Sequence, residues 1–415
     1  MNVRRSRLLR CAIAAAALPA FGPARGADLA PVAGEIGFRL GWRDVELCAE
    51  PPARLRRVPT RRSDYAQYLA IPLGSGTNNV IGGCLDESRG AGTGYDLLYL
   101  DANNNGDLTD DPVLHPQLEQ RSRLTLLRVP PVNVQIEYAD GSRRALPVRI
   151  EVRAWRRGGA KTLVWSVAAH VLQHLEGRVP AGARTNLLVG LYDCSRTPVE
   201  ANGCFDDYGV DRLRLDLDGD GTLDPRTEEF PLSRVIRLDG ALWSLEMDAA
   251  GRRLALSPCA LPTGRVAFAP SFMASSAACS GAVELASAQG FAFVQALPQG
   301  EAVALPAADY RVRDGRIRTA DATGQLWEAE FQVEGIFPVA RDAETRIQFG
   351  APFTVETAVE GEPRIGAETC VAMRLIGAGG EVYDNVARIK TRMEPALSIL
   401  DAEDVVVLHE KLEWG

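Results

Sequence analysis

The sequence predicts an all-β protein in which an N-terminal β domain, residues 27–262, is followed by one or two β-sandwich domains in residues 263–415. Short runs in which apolar and polar residues alternate, such as 211–215, are typical of half-buried strands. Pro112 and Pro225 follow two acidic loops and disfavour helices at those points. Beyond residue 263, turn signals recur about every ten residues, a spacing typical of β-sandwiches. A break near residues 335–345 indicates either two small sandwiches or two sheets.

Residues 1–26 have the features of a removable targeting signal. A basic region precedes a short apolar run, residues 11–20, and small residues stand at 24–26 where a signal peptidase would cut. The apolar run is too short to span a bilayer, which disfavours the alternative of a membrane anchor. We therefore expect an exported protein, periplasmic or extracellular, with no transmembrane segment.

The charge balance is acidic. The full chain has a formal net charge of −8, and loss of the five Arg in residues 1–26 would bring it to −13. An acidic surface argues against nucleic acid or an anionic membrane as a partner, and it suits a protein that binds cations.

Five arginines interrupt this acidity within residues 54–62. They are Arg54, Arg56, Arg57, Arg61 and Arg62. Two interpretations remain open: a solvated segment that pairs with nearby acids, or a patch that binds anions.

The first acidic loop, residues 101–111 and hereafter the 101 loop, has oxygen-bearing side chains at positions one, three, five and nine, with Gly106 at six. That spacing is typical of a calcium loop. The candidate ligands are Asp101, Asn103, Asn105, Asp107, Thr109 and Asp111, with Asp110 as another residue able to close the shell. Two amides replace carboxylates, so this loop should bind more weakly than the second one. The alternative is a solvated turn.

The second acidic loop, residues 216–224 and hereafter the 216 loop, has the stronger pattern. Its candidate ligands are Asp216, Asp218, Asp220, Thr222 and Asp224. Alternate side chains of a tight loop turn to one side, and two charges about 5 Å apart repel by roughly 3 kcal/mol at an effective dielectric of about 20. A cation would relieve this repulsion, and oxygen ligands without Cys or His favour Ca²⁺. A solvated Asp/Gly turn is again the alternative.

The ligand spacing of both loops resembles the EF-hand loop, but strand-like residues precede each loop, at 95–100 and 211–215. This setting is similar to the strand-flanked calcium loops of integrin-type propellers or thrombospondin repeats. The resemblance covers some ten residues per loop. It implies calcium binding and carries no implication of an activity.

Residues 193–207, hereafter the 193 loop, are a candidate third and degenerate metal site. Its candidate ligands are Asp193, Asn202, Asp206 and Asp207. Asp193 ends an apolar run as Asp101 does, and a disulfide between Cys194 and Cys204 would close the insertion between them. A plain disulfide loop without metal is the alternative.

Seven cysteines follow the signal segment, and disulfides are the ordinary expectation in an exported protein. Sequence proximity suggests three pairs: Cys194–Cys204, Cys259–Cys279 and Cys48–Cys84. Cys370 is then left over as a small apolar residue.

Two histidines, His170 and His174, have the spacing of a metal pair on one face of a helix or strand. The residues before them favour a strand, and no Glu follows His170 as it would in a zinc protease. We therefore expect at most a weak site there.

Near the C-terminus, residues 305–312 resemble the edge of transthyretin-like and carboxypeptidase-regulatory-like β-sandwiches. The likeness implies a fold and no activity.

The sequence contains no recognisable constellation of nucleophile and base, and no Gly-x-Ser-x-Gly. The leading hypothesis is a non-enzymatic, calcium-stabilised scaffold, adhesion or recognition protein, with a cell-surface glycan or protein as partner. One alternative is a carbohydrate- or peptide-binding protein that uses aromatic residues such as Trp42, Trp155, Trp243 and Trp327. Another is a hydrolase in which calcium is structural.

Overall fold

The computed structural model describes residues 26–33, 43–45, 47–90, 94–121, 124–156, 163–193, 201–248, 250–271, 280–297, 302–320, 324–360, 370–388, 391–392, 396–400 and 406–411. Every regular element in these ranges is a β-strand, which confirms the all-β prediction. No helix that could cross a membrane occurs in them. The predicted targeting signal lies almost entirely outside the described residues.

The strands before residue 262 are β1 (Ala27–Asp28), β2 (Ala30–Ala33), β3 (Arg43–Val45), β4 (Leu47–Cys48), β5 (Gln67–Pro72), β6 (Val80–Asp86), β7 (Leu97–Leu100), β8 (Gln117–Arg121), β9 (Leu124–Arg128), β10 (Val132–Glu137), β11 (Arg143–Arg156), β12 (Leu163–Val171), β13 (Gln173–Ala181), β14 (Arg184–Tyr192), β15 (Arg212–Leu215), β16 (Glu229–Pro231), β17 (Val235–Leu238), β18 (Ala241–Met247) and β19 (Arg253–Pro258). They form antiparallel sheets in the orders β4-β5-β6-β7, β3-β12-β11-β9-β8 with β10 on β11, β16-β15-β14-β13-β2, and β1-β19-β18-β17.

The later strands are β20 (Thr263–Ser271), β21 (Ser280–Ser287), β22 (Ala292–Leu297), β23 (Val303–Pro306), β24 (Ala308–Ala320), β25 (Leu326–Val333), β26 (Phe337–Val339), β27 (Glu344–Gly350), β28 (Thr354–Glu360), β29 (Cys370–Ile376), β30 (Glu381–Arg388), β31 (Thr391–Arg392), β32 (Ala396–Leu400) and β33 (Val406–Lys411). They form sheets in the orders β22-β21-β24-β25-β30-β29-β28, with β26 on β24 and β31 on β30, then β23-β20-β27, and the pair β32-β33. The β20–β27 pairing is parallel.

Strand β11 shows how the sequence pattern produces the sheets. Its Val148, Ile150 and Val152 are buried in the large apolar core, while Glu151 and Arg153 stand on the opposite face. This alternation has the period of two that a strand requires, because successive side chains point to opposite faces.

Two large apolar cores divide the chain. The first runs from Leu29 to Leu256 in sequence and the second from Val235 to Tyr383. The two cores overlap in sequence between residues 235 and 256, and the domain boundary at 262 stays a prediction. Near residues 335–345 the chain passes from the nine-stranded to the three-stranded sheet, and Val339 and Phe349 on either side belong to the same second core.

The two parts are joined by buried polar contacts. The Arg212 guanidinium lies 3.3 Å from the Glu284 carboxylate, and both side chains are buried. The backbone N–H of Ala292 donates to the Ser233 hydroxyl at 2.9 Å. Strands β15 and β16 of the first part are thereby held against β21 and β22 of the second.

The predicted Cys48–Cys84 disulfide is wrong. Both residues pair with Tyr68, Cys48 from one side of β5 and Cys84 from the other, and both thiols are free. Their backbones are therefore two strand spacings apart, about 10 Å, which is too far for a disulfide.

The other two predicted bridges are not formed either, since Cys204 and Cys259 are free thiols. Their proposed partners, Cys194 and Cys279, lie outside the described residues. Cys204 is buried in the first core, hydrogen-bonds with Ser75, and has a pKa raised to about 12 chiefly by burial. It therefore behaves as a small apolar residue.

Candidate metal centre

All three acidic segments begin where a buried strand ends. Asp101 follows β7, Asp193 follows β14 and Asp216 follows β15. All three side chains are almost completely buried. Each carboxylate therefore depends on partners that the following loop must supply.

In the 216 loop, the Asp216 carboxylate accepts the backbone N–H groups of Gly219, at 2.7 Å, and Gly221, at 3.1 Å. Gly221 has a φ of 83°, a left-handed conformation in which a side chain would be strained. The loop thus folds back over Asp216 with its N–H groups directed inward.

Glu228, four residues past the 216 loop, closes this arrangement. One of its oxygens accepts the N–H of Leu217 at 2.6 Å, and the other accepts the N–H of Asp224 at 3.0 Å. The Glu228 side chain is buried although it carries a charge. The sequence analysis did not include this residue.

Oxygens of Asp216, Asp218 and Glu228 all lie within 4.8 Å of one another. Calcium–oxygen bonds of about 2.3–2.6 Å place opposite ligands up to about 5 Å apart, so one ion fits between these three carboxylates. Three hard oxygen donors suit Ca²⁺ or Mg²⁺ better than a transition metal.

The other predicted ligands of the 216 loop make local bonds instead. Asp220 accepts the N–H and the hydroxyl of Thr222, both at 2.7 Å, and these bonds lower the pKa of the Asp220 carboxyl. Asp224 accepts the N–H of Arg226 at 2.8 Å and the hydroxyl of Thr227 at 3.1 Å. Two of the four predicted carboxylates therefore meet, and Glu228 completes the cluster.

The 101 loop uses the same scheme around Asp101. Its carboxylate accepts the N–H of Asn105 and the N–H of Gly106, each at 2.9 Å. Asp111 accepts the N–H of Ala102 at 3.2 Å, just as Glu228 accepts that of the second residue of its loop. Asp111 thus occupies in the 101 loop a position like that of Glu228 in the 216 loop, and its role as a metal ligand stays a prediction.

The remaining side chains of the 101 loop satisfy one another. Asn103 and Asn105 donate to the two oxygens of Asp110 at 3.1 and 2.7 Å. Asp107 accepts the N–H of Thr109 at 2.9 Å and its hydroxyl at 2.5 Å, which lowers the pKa of Asp107. These polar groups therefore have protein partners within the loop.

The arginine-rich segment packs against the 101 loop. The Arg54 guanidinium lies 3.7 Å from the Asp101 carboxylate, and that of Arg57 lies 3.4 Å from Asp107. The Gly106 carbonyl accepts the N–H of Arg56 at 2.7 Å. For Arg54 and Arg57 the structure therefore favours pairing with nearby acids over a patch that binds anions. The positive charge of Arg54 also reduces the need for a metal ion at Asp101.

Asp111 is expected to make stability depend on pH when metal is absent. Burial, then Asp110 and Asp101, raise the pKa of its carboxyl to about 6. Since the folded-state pKa exceeds the unfolded value of about 4, Asp111 favours folding most below pH 4, and this contribution is lost as pH rises through 6. An NMR titration of Asp111 in chelator should show a midpoint near pH 6, and Asp111→Asn should flatten the melting temperature between pH 4 and 7. A midpoint near pH 4 would contradict this.

The 193 loop repeats the arrangement at its described end. The Asp193 carboxylate accepts the N–H of Asn202 at 3.2 Å and that of Gly203 at 2.5 Å. Asn202 in turn donates to Asp207 at 2.7 Å, as Asn105 donates to Asp110. The structure therefore brings Asp193, Asn202 and Asp207 together, while residues 194–200 lie outside the described ranges.

Asp206 and Asp211 complete the acidic surroundings of the 193 loop. Burial and the neighbouring Asp207 raise the pKa of Asp206. Burial, then Asp193 and Asp207, raise the pKa of Asp211 well above its ordinary value. Asp211, which the sequence analysis assigned to a strand, is thus a member of this group.

The two histidines do not share a site. His170 on β12 lies 3.5 Å from Glu151, whereas His174 on β13 lies 2.7 Å from Glu176 and stacks on Tyr192. Strands β12 and β13 belong to different sheets, so each histidine has its own glutamate partner.

Comparison with known proteins adds no relative. No family model, curated protein or solved structure matches this chain. Its function must be inferred from the acidic loops and the fold.

Proposed function

We propose that this chain is an exported, calcium-stabilised β protein that acts as a scaffold, adhesion or recognition module without catalytic activity. The observation that carries the proposal is the meeting of Asp216, Asp218 and Glu228 within 4.8 Å. Three carboxylates at this spacing repel strongly unless a cation lies between them. The signal-like residues 1–26 support export, which would expose the protein to periplasmic or extracellular calcium.

The chemistry of the cluster also supports a structural role for the ion. The carboxylates of Asp216 and Glu228 accept hydrogen bonds from N–H groups of the same loop. An ion bound between the two carboxylates would therefore stabilise the connection from β15 to β16. Strand β15 lies beside β14 and carries Arg212, which contacts the second core. Calcium at this position would stabilise the junction of the two parts.

Aromatic residues give less support to the carbohydrate-binding alternative. Trp243 is half-buried against the first core, where its ring also closes over Gly182. Trp42 lies outside the described residues, and the Trp155 side chain is likewise not described. A glycan or a cell-surface protein stays a proposed partner that a binding array would identify.

The proposal is tested by thermal and urea unfolding of the full chain, in saturating calcium and in chelator. Calcium at 100 times its Kd should add about 2.7 kcal/mol to the free energy of unfolding. Magnesium at equal concentration serves as the comparison ion. Identical unfolding curves with calcium and with chelator would overturn the proposal.

A further inference from the structure

Asp211 carries a buried carboxylate oxygen without a partner. Its side chain is about 1 % exposed. Its Oδ2 accepts the backbone N–H of Asp207 at 2.9 Å, while Oδ1 has no hydrogen-bond partner. A buried carboxylate oxygen normally has a hydrogen bond or a counter-ion, so this atom points to a missing ligand.

The surroundings of Asp211 identify the charge of that ligand. Asp193 and Asp207 are the two charged groups that act on it most strongly, and both are acidic. Asp193 is as buried as Asp211, and the N–H groups of Asn202 and Gly203 hold its carboxylate in place. A cation bound beside Asp211 would offset this negative charge, and the carboxylate oxygens of Asp211 and Asp193 would be its donors.

We infer that a divalent cation binds between Asp211 and Asp193, with Asp207 beside them. The donors are hard oxygens, which favour Ca²⁺ or Mg²⁺. This third site uses Asp211 in place of Asp206, because Asp211 carries the buried oxygen without a hydrogen-bond partner and Asp193 is its strongest charged neighbour. The inference rests on the proposed use of calcium, but it involves no residue of the 216 loop.

The site gives a role to the charged residue Asp211, which lies immediately before strand β15. The backbone N–H of Asp211 donates to the Asp207 carbonyl at 2.9 Å, and its own carbonyl accepts the N–H of Leu232 at 2.7 Å. The carboxylate is thus fixed to the short turn 207–211 and to the strand that leads into the 216 loop. A cation here would tie the 193 loop to the start of β15.

The experiment uses the full chain with the 216 loop disabled by Asp218→Asn and Glu228→Gln. Calcium per chain is measured by equilibrium dialysis, and melting temperature is measured with calcium and with chelator. Adding Asp211→Asn to this background should lower the number of bound calcium ions per chain by one. It should also abolish the rise in melting temperature that calcium binding at this site produces. Asp206→Asn in the same background is the matched control. It should leave both the calcium content and the calcium-dependent rise in melting temperature unchanged.

Three results would overturn the inference. Asp211→Asn could leave the calcium content unchanged, or it could raise the melting temperature equally with calcium and chelator, which would mean that a proton neutralises Asp211. If Asp211→Asn fails to fold, hydrogen exchange in the background protein decides, because calcium should then slow exchange of the Gly203 and Asp207 amides. No calcium-dependent slowing would also reject the site. The effect of Asp218→Asn and Glu228→Gln on calcium binding tests the proposed function. It does not test the site at Asp211.

Discussion

Asp218→Asn is expected to remove most of the calcium-dependent stabilisation while leaving the metal-free protein nearly unchanged. Asp218 contributes one of the three clustered carboxylates, and among the described residues its side chain accepts the N–H of Asp220, at 3.1 Å. An amide oxygen can still accept that bond, but the negative charge is lost. If the Kd rises 100-fold, calcium at 100 times the original Kd contributes about 0.4 kcal/mol in place of about 2.7.

Glu228→Gln should show the same loss of calcium response together with a cost in chelator. Glu228 holds the N–H groups of Leu217 and Asp224, and a charged acceptor makes stronger bonds than a neutral one. Urea unfolding with calcium and with chelator separates the two effects. The exposed Glu246 on β18 offers the matched control, since Glu246→Gln removes the same charge at a position outside the 216 loop.

Asp220→Asn distinguishes the observed cluster from the sequence-predicted ligand set. Asp220 is exposed and bonds to Thr222, so its replacement should reduce the calcium response less than Asp218→Asn does. An equal loss for the two variants would mean that the ion is held by the regularly spaced aspartates and not by the cluster with Glu228.

The sequence identified the strand-end aspartates because their signal is local. Asp101 and Asp193 each follow an apolar run, whereas Asp216 follows a run in which Arg and Leu alternate. Each of the three accepts two N–H groups from the loop that comes after it. Side-chain alternation likewise reveals strands such as β11 from neighbouring residues alone. Local order of this kind needs no knowledge of the rest of the fold.

Glu228 is not among the ligands predicted from the sequence, because the EF-hand pattern places its closing Glu at position twelve, where this chain has Thr227. The acidic pair at 228–229 is a usable signal, since the two residues lie one and two positions past the expected one. Only the fold shows that Glu228 turns back to the loop while Glu229 pairs with Arg214.

Other features depend on contacts between distant segments. Arg54 reaches Asp101 because the segment before β5 packs on the 101 loop, and no local pattern predicts that contact. The Cys48–Cys84 pairing failed for a similar reason: sequence proximity did not reveal that β5 lies between the two strands. Both features depend on how distant segments and strands are arranged in space, and a short stretch of sequence carries no information about that arrangement.

The difference between the 101 and 216 loops follows from where their positive charge comes from. Arg54 and Arg57 bring it to the 101 loop from within the chain. At the 216 loop, Arg184 donates hydrogen bonds to the carbonyls of Asp216 and Leu217. Its guanidinium forms an ion pair with Asp239 and not with the clustered carboxylates. The 216 loop is therefore the better candidate for an external cation.

Breaking the buried Arg212–Glu284 pair is expected to destabilise the protein more than any other single charge change considered. The two groups lie 3.3 Å apart, and each side chain is about 5 % exposed. Removing Arg212 takes a close cationic partner away from a buried carboxylate, and breaking a buried pair in this way costs about 3–5 kcal/mol. Arg212→Met should therefore lower the free energy of unfolding by this amount, measured by urea unfolding in chelator so that calcium does not contribute.

The exposed pair Arg318–Glu328 is the matched control, because Arg318→Met removes the same charge at a 2.9 Å contact on the surface. Its expected effect is below about 1 kcal/mol, since solvent screens exposed pairs. The double variant Arg212→Met, Glu284→Leu should recover much of the loss, because an apolar pair of similar size leaves no buried charge. If Arg212→Met costs no more than Arg318→Met, the contact between β15 and β21 is open to solvent, and the two cores are not held together by this pair.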